Sequence, residues 1–204
     1  MNAYMDKHRT DVYLALLPDG ECDASLYPEE RDALVRSTAN PTVRRERYFV
    51  WRLLEEAVRA SLGLELCDIG LRLEGERWTS ERADISLSHS GGALAVAVSG
   101  VPVGVDIEMV SDASGNPRIV ERFFNERERA EYAAAPADER GLALLRIWTA
   151  KEAIFKSRTA AAFAPSEVDS HAREVYSRTV CLGEHNFVIS VAGDNEPTVH
   201  IIKF

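Results

Sequence analysis

Cysteine is scarce in this 204-residue chain: Cys22, Cys67 and Cys181 are scattered and odd in number. They support neither a disulfide framework nor a zinc site. Positive charge is also in short supply, with 24 Lys and Arg against 33 Asp and Glu and a formal net charge of −9. A general nucleic-acid binder needs a basic field, so that class is set aside. No apolar run reaches membrane-spanning length, and the opening MNAYMDKHRTD lacks the apolar core of a signal peptide. The expectation is a cytoplasmic protein with no nucleic-acid and no membrane partner. A P-loop GxxxxGK[ST] is missing, as is a glycine-rich kinase signature, which excludes an ordinary NTPase or kinase. The rest of the composition is that of a globular protein, and the length suffices for a substantial core.

The pattern along the chain predicts an α+β protein. Asp11–Leu17 reads as a strand closed by Pro18-Asp19-Gly20, Tyr27–Arg36 as a helix, and Thr42–Ser61 as a long helix ending near Gly63. Leu64–Leu73 alternates loosely and is expected as a strand. Asp84–Ser99 is the clearest β signal, a hairpin turning at Ser90-Gly91-Gly92. Val103–Glu108 follows as a strand, with Val103, Val105 and Ile107 on one face and Gly104, Asp106 and Glu108 on the other. Ser111–Pro117 reads as a polar loop and Ile119–Ala134 as one helix. A second helix is centred on Leu142–Lys156, and three strands close the chain at Glu174–Cys181, Asn186–Ala192 and Thr198–Lys203. Two α+β halves, 1–100 and 101–204, meet near Gly100.

The helix LALLRIWTAKEAIFK is apolar nearly all round, which marks it for burial, yet it carries Glu152, Lys151 and Lys156. Trp148, Glu152 and Lys156 lie four apart and share one stripe. Buried charges need one another, a metal, a ligand or a route to water. A surface Glu152–Lys156 pair would satisfy the pattern as well. Asp106 and Glu108 sit at i and i+2 of a strand, with α-carbons about 6.6 Å apart on one face. Side chains of that reach can converge on one hard cation. Mg²⁺ takes one or two carboxylates and completes its shell with phosphate oxygens and water. Glu152 can add a third carboxylate. A solvated strand face accounts for Asp106 and Glu108 equally well at this point.

The turn segment SLSHSGG offers the Ser88 hydroxyl, the His89 imidazole and two glycines that let backbone approach a ligand. Arg44, Arg45, Arg47 and Arg52 form the densest basic run, and arginine matches phosphate with a bidentate fork. Carboxylates for Mg²⁺ with cations for phosphates make up the inventory of phosphoryl-group transfer.

SLSHSGG, GVDIE at Gly104–Glu108, WTAKEAIFK at Trp148–Lys156 and RRERYFVWRLL at Arg44–Leu54 together resemble the 4′-phosphopantetheinyl transferase superfamily. The chain length resembles its monomeric type, a pseudo-dimer of two similar α/β halves with coenzyme A in the cleft between them. The resemblance implies Mg²⁺-dependent transfer of phosphopantetheine from coenzyme A to a serine of an acyl or peptidyl carrier protein, leaving adenosine 3′,5′-bisphosphate. It implies Asp106, Glu108 and Glu152 as Mg²⁺ ligands, Glu152 also as base for the carrier serine, and Lys156 on the pyrophosphate. Ser88 and His89 are implied at the coenzyme A phosphates and Arg47 at the 3′-phosphate. A Gly-Lys-Pro that usually precedes the serine-histidine segment is replaced by Gly75-Glu76-Arg77-Trp78, where Arg77 can supply the lysine's charge. Trp51-Arg52 stands where the family often has Gly-Arg, and SRTAAAFAP lacks the glycines that often follow the second lysine. A coenzyme A-binding protein of the same fold without catalysis is the alternative.

Overall fold

Asn40 and Gly63 bound the longest helix. The computed structural model describes residues 4–20, 22, 29–75, 77–111, 116–158 and 163–204. After strand β1 (Thr10–Leu16) come helices α1 (Glu29–Arg36) and α2 (Pro41–Leu62). The Asn40 side chain accepts from the N–H groups of Thr42 and Val43, Pro41 opens the helix where its missing N–H costs nothing, and Gly63 closes it in the left-handed region (φ 67°). Tyr48, Trp51, Leu54 and Val58 form its buried stripe, laid on β1, β4 (Asp84–Ser90) and β5 (Ala93–Ser99).

The expected hairpin is β4–β5, and its Gly91-Gly92 turn has φ of 56° and 81°, the paired positive values a two-residue turn of this hand requires. β5 is buried along its whole length and serves two cores. Leu94, Val96 and Val98 face α2, whereas Ala93, Ala95 and Ala97 face Val103, Val105 and Ile107 on β6 (Gly104–Met109) and the residues just before it. The alanines let a second sheet approach closely. That sheet has the order β6–β8–β7, all antiparallel, with β7 spanning Val175–Leu182 and β8 His185–Ala192. The last strand, β9 (Thr198–Ile201), pairs parallel with β1, giving the first sheet the order β4–β5–β1–β9.

Two expectations are corrected. Leu64–Leu73 is not one strand: Leu66–Ile69 forms a single 3₁₀ turn between left-handed Gly63 and Gly70, burying Leu66 and Ile69 at i,i+3. Only Arg72–Glu74 is extended, as β2, paired with β3 (Arg77–Thr79). The segment Ile119–Ala134 is two helices, α3 (Pro117–Phe123) and α4 (Glu126–Ala134). Asn125 breaks it with a capping box, accepting from Glu128 N while the Glu128 carboxylate accepts from Asn125 N. Helix α5 (Arg140–Lys156) lies on β6 and β8, as its all-round apolar character demands. Among the described residues no helix is long and apolar enough to cross a membrane. Residues 112–115 of the polar loop and 159–162 of the segment after Lys156 lie outside the described residues.

Candidate functional site

Strands β4 and β6 and helix α5 each send polar side chains to one place. On β6, the inward turn of Val105 and Ile107 leaves Asp106 and Glu108 on the opposite face. Asp106 is nonetheless buried, because α5 and β4 cover it. Its Oδ1 accepts from Ser88 Oγ at 2.7 Å and from Lys156 Nζ at 2.6 Å. Its Oδ2 is buried and, among the described residues, has no donor. Glu108 Oε2 accepts from Ser90 Oγ at 2.5 Å. Lys156 Nζ also donates to Ser88 Oγ at 3.1 Å and lies 3.6 Å from Glu152 Oε2, one helical turn back.

The electrostatics follow from this crowding. Burial, then Asp106 and Glu108, push the Glu152 carboxyl up to about 7 against the pull of Lys156. Burial and Asp106 likewise raise Glu108, although the Ser90 hydroxyl opposes them. Burial works to lower the Lys156 ammonium, but Asp106 and Glu152 outweigh it and hold it above its ordinary value. Three carboxylates therefore share one ammonium, and one carboxylate oxygen has no donor among the described residues. This donor set suits a hard cation, which would pair the orphaned oxygen and relieve the mutual repulsion. Among the described residues no three His, Cys, Asp or Glu side chains are gathered into a finished cation cage, and Lys156 instead bridges Asp106 and Glu152.

A cleft of about 350 Å³ opens beside this cluster. Its walls are Trp51, Trp78, Ile85, Leu87 and Phe155, and its polar rim is Arg47, Arg77, His89, Lys156 and Arg158. In an acidic chain the three arginines and Lys156 of this rim focus an anion-attracting field on one cleft. Arg47 reaches from α2 to the Leu34 carbonyl and Ser37 hydroxyl, both at 3.2 Å. The other arginines of that run are engaged elsewhere: Arg44 with the Thr38 carbonyl, Arg45 with the Pro18 carbonyl, and Arg52 with Glu55. Arg77 pairs with Asp84 and donates to the Arg158 carbonyl. Trp51 packs edge-on against Trp78 at 5.0 Å, with the Arg31 guanidinium 4.6 Å over its ring.

The eight residues expected at the site border this one region, with Asp106, Glu108, Glu152 and Lys156 as the polar cluster, Ser88 bonded into it, and His89, Arg47 and Arg77 around the cleft. Sequence reading missed Glu46, whose buried carboxylate lies 3.2 Å from His89 Nδ1 and accepts from Gly92 N. Burial holds the His89 imidazole below its ordinary value despite this partner, with Lys156 and Arg47 adding to the effect. No local pattern links Glu46 on α2 with a strand 43 residues later. The alternation Ser86-x-Ser88-x-Ser90 was a usable signal, because period two puts all three hydroxyls on one face. Lys151 resolved differently from Lys156. It is fully buried against Glu128, at 2.6 and 2.8 Å from the two carboxylate oxygens, away from the cleft.

Residues 102–194 match the profile of the 4′-phosphopantetheinyl transferase superfamily. Over this stretch, just under half of the chain, the sequence is similar to that superfamily. It contains β6, α3, α4, α5, β7 and β8, and so Asp106, Glu108, Glu152 and Lys156. The chain is 35% identical over 97 residues to the 4′-phosphopantetheinyl transferase AcpT of Salmonella typhimurium, covering 47% of this chain and 50% of that protein. It is 37% identical over 71 residues to the transferase psf-1 of Bacillus pumilus (35% of this chain, 30% of that one). A 4′-phosphopantetheinyl transferase of Bacillus subtilis matches at 29% over 108 residues (51% and 47%). The chain thus spans about half the length of the curated relatives it matches most extensively. Arg47, Arg77, Ser88 and His89 lie outside the matched stretch; Ser88 meets it at Asp106 and Lys156, and Arg77 at the Arg158 carbonyl.

Proposed function

We propose that this chain is a Mg²⁺-dependent 4′-phosphopantetheinyl transferase that acts as a monomer, moving the phosphopantetheine arm of coenzyme A to a serine of an acyl or peptidyl carrier protein and releasing adenosine 3′,5′-bisphosphate. The observation that carries it is the carboxylate–lysine cluster at the edge of a cationic cleft, with one buried Asp106 oxygen lacking a donor among the described residues. The superfamily match over residues 102–194 supports the same reading.

On this reading Asp106, Glu108 and Glu152 hold the ion. Bound there, Mg²⁺ supplies charge neutralisation at the pyrophosphate. Lys156 grips the same pyrophosphate and stabilises the leaving phosphate as its P–O bond breaks. Ser88 and His89 contact coenzyme A phosphates. Arg47 exchanges the Leu34 carbonyl for the 3′-phosphate end, a better partner for a guanidinium fork. Arg77, already anchored on Asp84, adds charge to the cleft rim. The carrier serine oxygen attacks the phosphorus bearing the pantetheine arm. Its proton passes to Glu152, directly or through a water, as a general base within reach of the serine would take it. Much of the acceleration comes from holding the two reactants in line. Residues 1–100 and 101–204 form, on the same reading, a pseudo-dimer with the active site in the cleft between them. Each half lays one long helix on a sheet, α2 in the first and α5 in the second.

The test is to incubate the protein with an apo carrier protein, coenzyme A and Mg²⁺ and to weigh the carrier. A carrier heavier by one phosphopantetheine arm supports the proposal. Coenzyme A that binds without transfer marks a binding protein of the same fold, and coenzyme A consumed with the carrier unchanged marks a different pyrophosphate enzyme.

A further inference from the structure

β4 and β6 belong to different sheets, yet they run side by side. Side chains join them where backbone ladders do not. Asp84 Oδ2 accepts from Val103 N at 2.7 Å, Ser86 Oγ from Val105 N at 3.0 Å, and Ser88 Oγ from Ile107 N at 3.4 Å. Each step of two along β4 meets a step of two toward or along β6, so the register is set side chain by side chain. At the far end the hydroxyls become donors to carboxylates. Ser88 takes Oδ1 of Asp106 and leaves Oδ2 buried, without a donor among the described residues. Ser90 takes Oε2 of Glu108 in the same manner.

Resting on the reading of Asp106, Glu108 and Glu152 as the metal ligands, we propose that Ser90 is a positioning residue for that site. Its hydroxyl occupies one oxygen of Glu108, fixes the carboxylate's rotation and leaves the other oxygen for the ion. A ligand carboxylate that is itself hydrogen-bonded loses less freedom when it binds, and removing such a partner typically costs about 10–100-fold in metal affinity. Ser86, whose hydroxyl serves only a backbone N–H among its bonds here, holds the strands together without orienting a carboxylate.

The test measures the Mn²⁺ dissociation constant from the electron paramagnetic resonance signal of the free ion, with and without coenzyme A. Ser90→Thr and Ser90→Val make the decisive pair, because both are β-branched and strand-compatible and differ in the hydroxyl. Ser90→Thr is expected to keep wild-type affinity, and Ser90→Val and Ser90→Ala to lose about tenfold or more. Their metal-free melting temperatures should stay together. Ser86→Ala should melt lower and keep its Mn²⁺ affinity. Equal Mn²⁺ affinity in Ser90→Thr and Ser90→Val overturns the inference and leaves the metal-site reading standing. A wild-type protein that binds no Mn²⁺ under either condition overturns both.

Discussion

In the metal-free protein the Glu152 carboxyl sits near pH 7 because burial, Asp106 and Glu108 outweigh Lys156. A carboxyl raised above its unfolded value binds more protons in the native state, so its contribution to stability is present at low pH and is lost as pH rises. The window opens near the ordinary value of 4.5 and closes above about 7. Glu152→Gln removes this titration. Urea midpoints of wild type and Glu152→Gln should therefore diverge in favour of the mutant as pH rises through that window, and added Mg²⁺ should restore the wild type. If Glu152 is the base of the proposed transfer, carrier modification by Glu152→Gln should fall by about 10²–10⁴-fold, the usual cost of losing a general base. A mutant that melts far lower without metal would make Glu152 a structural partner of Lys156 instead. Lys151, three residues past Trp148, shows the contrasting case. With Glu128 it is fully buried, and Glu128 also accepts from the N–H groups of Asn125 and Ser170. These donors outweigh burial and hold the Glu128 carboxyl below its ordinary value. Lys151→Met leaves that carboxylate unpaired and should cost about 3–5 kcal/mol in urea denaturation. Adding Glu128→Gln to it should recover part of the loss, since the stranded charge is then gone.

Among the elements, the seam between β6 and α5 decides whether Asp106 and Glu152 meet at all. Gly104 makes that seam possible. A Cβ there would lie 1.9 Å from the Ala153 carbonyl oxygen and 2.6 Å from Ser157 N, and both are backbone atoms that cannot swing aside. Gly104→Ala must push the helix off the strand. Overpacking of this kind costs about 1–3 kcal/mol or more, and here it also displaces Glu152 and Lys156 from Asp106. The expected outcome is a lower melting temperature together with a transfer rate that stays depressed at temperatures where the variant is folded. A variant with wild-type rate at low temperature would show that the seam can relax without moving the site. The glycine that opens GVDIE is thus a packing requirement, visible in sequence only as a motif letter. The α3–α4 break has a similar history: Asn125-Glu126-Arg127-Glu128 spells a capping box inside a stretch whose composition alone reads as continuous helix.

For the molecule as a whole, a net charge of −9 disfavours long-range attraction to any acidic partner, so if the proposed carrier protein is acidic its docking needs a local patch. Arg118, Arg122 and Arg127 are exposed on α3 and α4, and Arg122 lies 5.0 Å over the Phe123 ring. Arg129 is turned back onto the Val120 and Glu121 carbonyls, and Phe124 is in the core. Charge reversal at Arg122 and Arg127 should raise the apparent KM for the carrier and leave that for coenzyme A unchanged, and equal effects on both would discard the patch. The sequence by itself determined the elements that carry period-two or four-residue spacing: the β4–β5 hairpin, the Asp106–Glu108 face, the Glu152–Lys156 stripe and the capped α2. Those signals are local, because strand and helix geometry map sequence spacing directly onto faces. Only the tertiary structure decided which faces meet. The Ser90–Glu108 and His89–Glu46 contacts, the choice of Glu128 for Lys151 and of Asp106 for Lys156, and the return of β9 to β1 join residues 18 to 189 positions apart. Such pairings depend on how close two sheets and two helices can pack, which is set by Ala93, Ala95, Ala97 and Gly104 acting together rather than by any one stretch of chain.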